Sequence, residues 1–599
     1  MDRTPARRTV LAGIAATAAM TVTGTGLAGS AEAAQAHEAD TVLLNSYIYT
    51  VDARNSIKKA LAITRGRIVH VGTDRSASAY IGKRTQVVDL RGRMLMPGLH
   101  DGHIHPLSGG RGLLGLDFQY APLTVAEFRA TIQAYLDTTA AQEPDGWVTG
   151  AHWYLQAMRP AGTKVTRADL DTLTTRRPIL ISSSDGHTSL ANSRALQLAG
   201  ITGSTPDPAT GTIERDATGE PTGILQDGAQ DLVRSKIPPA TAEDNVRYAE
   251  AALAALRAQG VTTFMDAAAS EGSLKAFTTL AERGRLTARA HFAVLVDLTD
   301  SRPVQRVMKL QRTYDTGRLR AAPDIHVRNT KMFLDGVLQY PAQTAGVLEP
   351  YLVHDHDHWV PGTNKGSVYW PPDRLNSLMK ELAAAGIDPH VHAIGDHAVR
   401  VALDAYQGVR RAGYRSNRLT VAHAELVNPA DIPRFARLGV IAAMGFHWAK
   451  PGPDSVDAVE PYLGQERWQN YEPEGAIFRS GGIISLGSDW PVDPLDEWDA
   501  LRTVITRTAL RGSPYAAYGP MTPHQALQRR TVIRAATRNG AYQLHQENDT
   551  GAIEVGKLAD LIVLDRNILK IPAEDIANTK VLITMVGGRI VHGSVADLR

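Results

Sequence analysis

Cysteine is missing from all 599 residues. That removes disulfides, thiolate metal ligands and a cysteine nucleophile together. Charge imbalance is missing too: the formal net charge is +2 with histidine neutral, and no basic run stands out. Nucleic acid is therefore not an implied partner. Any metal chemistry rests on His, Asp, Glu and Lys. What the chain has is size, since 599 residues at 43% hydrophobic content exceed one small domain and supply a large core.

The first 36 residues read as an export signal. Arg7 and Arg8 precede a mildly apolar run from Val10 to Gly29, rich in Ala, Gly and Thr. Small residues follow at Ala31-Glu32-Ala33 and Ala34-Gln35-Ala36, and either set suits cleavage. Paired arginines before a weakly hydrophobic segment resemble a twin-arginine leader. The run barely reaches spanning length and is too rich in Gly and Thr for an anchor. The expectation is an extracellular or cell-envelope protein with no stable membrane span once the signal is removed.

The rest of the chain is organised around residues 94–106, Met-Leu-Met-Pro-Gly-Leu-His-Asp-Gly-His-Ile-His-Pro. On a strand, side chains alternate faces, so His103 and His105 project to one side while Ile104 packs behind. Two imidazoles on one face of a rigid element make half of a divalent-metal site.

Downstream, short apolar strands alternate with helical patterns, as expected of βα units. Residues 241–259 read as a helix with Thr241 as N-cap, Asp244 three residues on, an apolar face of Val246, Ala249, Leu253 and Leu256, and Gly260 as stop. Strands are expected at 261–266, 289–295, 327–333, 388–392, 419–423, 440–444 and 483–488. Most end at a polar residue, where barrel enzymes place their chemistry. Residues 41–51, 60–71, 551–565 and 580–591 are β-branched and strand-like at both chain ends. Residues 147–227 look like an insertion, turn-rich and polar, fit for a lid or substrate pocket.

Four more potential ligands follow in order. Lys331 lies near a strand end in Lys-Met-Phe-Leu-Asp-Gly, and His392 in His-Val-His-Ala-Ile-Gly-Asp, where His390 shares its face. His423 stands in Ala-His-Ala-Glu and Asp489 in Gly-Ser-Asp-Trp-Pro. Singly each has a plain alternative: a salt-bridged lysine or a packed core histidine. A carboxylate at Asp489 suits metal binding and proton shuttling from water to a leaving nitrogen.

Taken together, Pro-Gly-Leu-His-Asp-x-His-x-His-Pro and the later motifs resemble the amidohydrolase superfamily. The wording is that of its third amidohydrolase family, the branch of N-substituted formamide deformylase-like metal-dependent hydrolases. The resemblance spans about residues 41–591 and implies an α/β fold. That fold is a distorted (β/α)8 TIM barrel over 94–545, with a small flanking β-sandwich built from 37–93 and 546–599. It implies His103, His105, Lys331, His392, His423 and Asp489 as metal ligands, with Asp489 also catalytic. It further implies one or two divalent ions, zinc being the expected metal, and a carbamylated Lys331. The expected reaction is hydrolysis of an amide or substituted formamide in a small molecule. Cyclic amide or ester hydrolysis and a non-catalytic metal-binding scaffold are the alternatives.

His187, in the insert, is either a substrate contact or a structural hydrogen-bonding group, and His390 is a substrate-contact candidate, an outer partner or merely packed. His447 is a further substrate-contact candidate. The chain departs from the family near Met444–His447, where Gln-Pro is common, and at Asp227, where Glu is usual. Both departures bear on the substrate pocket. Homodimerisation is left open.

Overall fold

The computed structural model describes residues 38–598 apart from 140 and 142–144. The expected export signal therefore lies outside the described residues. Eight parallel strands form one sheet in sequence order: Leu99–Ile104 (β1), Val261–Ala269 (β2), Arg289–Leu295 (β3), Ile325–Phe333 (β4), Asp388–Ala393 (β5), Thr420–His423 (β6), Ile441–Met444 (β7) and Ile483–Leu486 (β8). Ladder pairing runs from β1 through β8. The seam between β8 and β1 is bridged just past the strand ends, where Asp489 N–H donates to His103 O at 2.8 Å and His105 N–H to Trp490 O at 2.8 Å. Gly487 makes this approach possible, because a Cβ there would stand 2.6 Å from the Cβ of His103. The sheet is thus a nearly closed (β/α) barrel.

Helices cover the strands, which is why β3 and β5 are buried almost throughout rather than alternating. The helix Ala242–Gln259 matches its sequence signature. Thr241 caps it by accepting from Asp244 N–H, Val246, Ala249, Leu253 and Leu256 are buried, and Gly260 ends it at φ 86°. At such a left-handed cap a side chain is strained.

Two further sheets draw on both chain ends. One orders Arg67–Gly72, Ala60–Thr64, Thr41–Leu44 and Gln86–Asp89. The other orders Arg589–His592, Val581–Val586, Leu561–Leu564, Met94–Pro97, Tyr47–Tyr49 and Ile57–Lys58. Leu43, Ile48, Val88, Leu95, Leu561, Val563 and Ile583 fill the space between them. The boundary expected at residue 94 falls instead at Gly98. Met94–Pro97 pairs with Leu561–Leu564 and Tyr47–Tyr49, and Leu99 N–H then turns to Gly260 O in the barrel. Leu95 points into the sandwich core while Met94 and Met96 join the barrel core, so both faces are apolar. The boundary expected at 546 also moves. Gln546 and Thr550 bond His291 and His100 inside the barrel, and the next strand starts at Leu561.

The insert is larger and better packed than expected. Its six strands run from Leu116–Asp117 to Pro221–Asp227, with Phe118, Phe128, Ile132 and Trp153 in one cluster and Leu180, Leu196, Ile213 and Leu225 in another. It carries a six-stranded sheet and two apolar clusters of its own. Tyr120 fastens it to the loop after β8, donating to Pro491 O at 2.8 Å, and Tyr154 donates to Asp454 at 2.7 Å. Among the described residues no helix is long and apolar enough to cross a membrane.

Candidate metal centre

His103 on β1 and His105, the residue just past its end and the cap of the next helix, meet at the same carboxylate. Their Nε2 atoms lie 3.2 and 3.0 Å from Asp489 Oδ1. His423, at the end of β6, completes a group with His103 and Asp489 whose ligand atoms all fall within 4.8 Å of one another. Lys331, near the end of β4, places Nζ 3.1 Å from His103 Nε2 and 4.6 Å from the centre of the Phe333 ring. Trp448 stacks on His423 with ring centres 5.1 Å apart and covers that side of the group.

Electrostatics suit a cation. Burial, reinforced by the neighbouring cationic groups, drives His103, His392 and His423 well below the usual imidazole range. They stay neutral and keep a lone pair to offer. Burial alone would raise Asp489, but its close contact with His105 and the nearby His423 and Lys331 side chains hold it at about 2. Burial brings Lys331 down to about 7, against the attraction of Asp489 and Asp266. Asp489 Oδ1 is buried without a hydrogen-bond partner, an arrangement costly in an empty protein interior. Donors bound tetrahedrally at about 2.0–2.1 Å from zinc stand roughly 3.3 Å apart, close to the separations seen here. The residues present fit a divalent ion.

His423 and Asp489 have φ of 74° and 56°, and Ala424, the residue after His423, has 48°. Non-glycine residues in this region are uncommon and cluster where surrounding structure holds functional groups. Here Ala424 N–H is held by Ala393 O at 3.0 Å and Asp489 N–H by His103 O.

His392 stands beside this group rather than in it. Its Nε2 lies 3.0 Å from Gly336 O, leaving Nδ1 as its one remaining ligand atom, and its ring centre is 4.6 Å from that of His423. His390 places Nε2 2.7 Å from His103 Nδ1, the contact that orients a metal-facing imidazole. His187 makes a structural hydrogen bond and lies beside His392. Its Nδ1 lies 2.6 Å from Asp227 Oδ1, and its ring faces His392 at 5.9 Å. Burial would lower His187, but Asp227 and Asp185 raise it overall. His447 is buried with Nε2 unpartnered, and its Nδ1 is 4.0 Å from Asp499.

Sequence reasoning passed over Asp101 and Asp335. Asp101 is fully buried and accepts from Ser488 Oγ at 2.5 Å and from the N–H groups of Ser488 and His103 at 3.1 Å each. The signal was present, since residue 101 shares the face of 103 and 105 on a strand. Asp335 accepts from the N–H groups of Gly346, Ile394 and Gly395, while burial pushes it up to about 7. Nothing local in the sequence announces a carboxylate used that way.

The model of the amidohydrolase family matches residues 86–592. Protein LONG AFTER FAR-RED 3 of Arabidopsis thaliana is 28% identical over 570 residues, covering 92% of each chain. N-substituted formamide deformylase of Arthrobacter pascens is 27% identical over 570 residues, covering 92% of this chain and 97% of that one. Among solved structures, an uncharacterised metal-dependent hydrolase from Pyrococcus horikoshii superposes with a TM-score of 0.68 at 24% identity. It covers 89% of this chain and 99% of its own, a likeness of fold.

Proposed function

Because the chain belongs to the amidohydrolase family, we propose that it hydrolyses a carbon–nitrogen bond in a small amide, with an N-substituted formamide as the favoured substrate class. The observation that carries this reading is Asp489, a buried carboxylate with an unpartnered oxygen set between two histidine nitrogens. His103, His105, His423 and Asp489 would hold the ion, with zinc the expected metal. Lys331, converted by carbon dioxide to a carbamate, and His392 through Nδ1 would hold a second. A divalent ion bound there supplies a Lewis acid that makes water a nucleophile near neutral pH and polarises a carbonyl.

The protein's own groups do the rest. Asp489 accepts the proton of the attacking water and returns it to the leaving nitrogen. His390 keeps the His103 ring turned towards Asp489 through their 2.7 Å contact. His187, fixed at Nδ1 by Asp227, presents its other nitrogen towards a substrate oxygen. Trp448, stacked on His423, keeps bulk water from the group. Lys331 supports carbamylation in two ways: it is buried, and it is held near neutrality, so an unprotonated amine is present to react.

The export reading of residues 1–36 stands with this proposal. The experiment is a screen of the purified protein against N-formyl amines, N-acyl amino acids and esters, with and without chelation. Metal-dependent release of amine supports the reading. Full turnover by a metal-stripped His103→Ala, His105→Ala double variant would overturn it.

A further inference from the structure

Between β4 and β5 the chain contains five consecutive residues able to bind a metal ion: His354, Asp355, His356, Asp357 and His358. Three of the 20 histidines in 599 residues fall within these five positions. None belongs to the group around His103.

The backbone gathers them at a tip. Leu352–Asp355 and His358–Pro361 form a two-stranded antiparallel sheet of their own, joined by His356 and Asp357. Asp355 pairs directly with His358, and His354 with Trp359. Directly opposed residues share a face, with Cβ atoms about 4.5–5.5 Å apart. His356 leans back over that face, its Nδ1 2.8 Å from Asp355 Oδ1, although it is 93% exposed. A carboxylate and one imidazole are therefore already together, and the exposed His358 stands directly opposite that carboxylate on the neighbouring strand. His356 takes the left-handed turn position, with φ 53°.

The tip is held in place from below. His354 meets Trp359 edge-on at 5.3 Å, Trp359 meets Tyr462 at 5.2 Å, and Tyr462 stacks on Tyr340 at 4.8 Å. A lone hairpin is marginal in water, and this aromatic series fixes its base while leaving the far end open. Two imidazoles with a carboxylate select borderline divalent ions over calcium or magnesium.

We propose that Asp355, His356 and His358 form a surface site for a divalent transition-metal ion of the copper, nickel or zinc type, separate from the barrel centre. The test titrates the zinc-loaded full-length protein with Ni2+, following heat of binding and quenching of Trp359 fluorescence. One Ni2+ per chain is expected beyond the zinc already held. His356→Ala and His358→Ala should each weaken that uptake by at least about tenfold, the scale of losing even an outer partner of a ligand. His354→Phe, on the opposite face, should leave it unchanged, as should the His103→Ala, His105→Ala pair. Uptake that is missing in the parent protein, equal in His356→Ala and His358→Ala, or lost only in the barrel variant would overturn the assignment.

Discussion

Replacing Asp101 by alanine is expected to loosen the metal centre without touching any of its ligands. Asp101 sits on β1 two residues before His103 and reaches across the seam to Ser488, the residue before Asp489. No ladder joins β1 to β8, so this carboxylate is one of few bonds that hold the two strand ends in register. Alanine leaves the buried N–H groups of His103 and Ser488 without an acceptor. Each such group costs about 1–3 kcal/mol, so the pair costs about 2–6 kcal/mol. Part of this is offset, because Asp101 is itself pushed up to about 7 by burial and has the buried Glu497 beside it.

If about 2 kcal/mol of the remainder falls on the arrangement that binds metal, affinity drops about thirtyfold, at 1.4 kcal/mol per decade. Asp101→Asn keeps an oxygen for both N–H groups and turns its amide towards Ser488 Oγ, which can accept. It should bind metal within a few-fold of the parent. Competition against a chelator of known affinity, with metal content measured on the folded protein, reads both values. A folded Asp101→Ala protein that binds metal as tightly as the parent would refute the reasoning.

Asp489→Asn should retain much of the metal yet lose about 10²–10⁴-fold in turnover, because an amide cannot take the water's proton; steady-state kinetics on metal-quantified protein checks this. Metal loading in the presence of bicarbonate should raise activity and leave a carbon dioxide adduct on Lys331, visible by mass spectrometry of the intact protein. Lys331→Ala should abolish both effects. Asp560→Ala should cost up to about 3–5 kcal/mol of stability, read by thermal or denaturant unfolding, since it removes the carboxylate held 2.6 and 3.1 Å from the fully buried Arg289 and leaves only Asp324, at 3.6 Å, to balance that charge. N-terminal sequencing of exported protein should find a start near Ala34 or His37, whereas an intact leader there would count against export.

What could be read from sequence was whatever depends on local periodicity. The pairing of His103 and His105 was expected from strand alternation, and the two do meet at Asp489, although His105 stands one residue past the end of β1. The helix at 242–259 was legible because its cap, apolar face and stop agree. Met94–Pro97 was assigned to the wrong layer for a physical reason: a strand covered on both faces carries no alternation to read. The insert was underestimated because its strands are short and separated by turns, and its sheet exists only through long-range pairing. His392 shows another limit. Its face was predictable, but the diversion of Nε2 to Gly336 O depends on a loop 56 residues away.

The residues around the centre come from two parts of the chain, the barrel strands and the insert. The barrel supplies His103, His105, His423 and Asp489 from strand ends, where backbone strain at His423 and Asp489 is held by bonds to neighbouring strands. The insert supplies His187 and Asp227, which pair with each other and face His392 without entering the ligand group. A change at Asp227 therefore alters how His187 is held while leaving the ligand bonds intact. Lengthening that side chain to Glu moves the carboxyl about one methylene towards a ring already at hydrogen-bond distance, so His187 must shift. On the proposed function, the chain's departure from the family pattern at this position thus acts through His187 on the substrate rather than through the group of His103, His423 and Asp489.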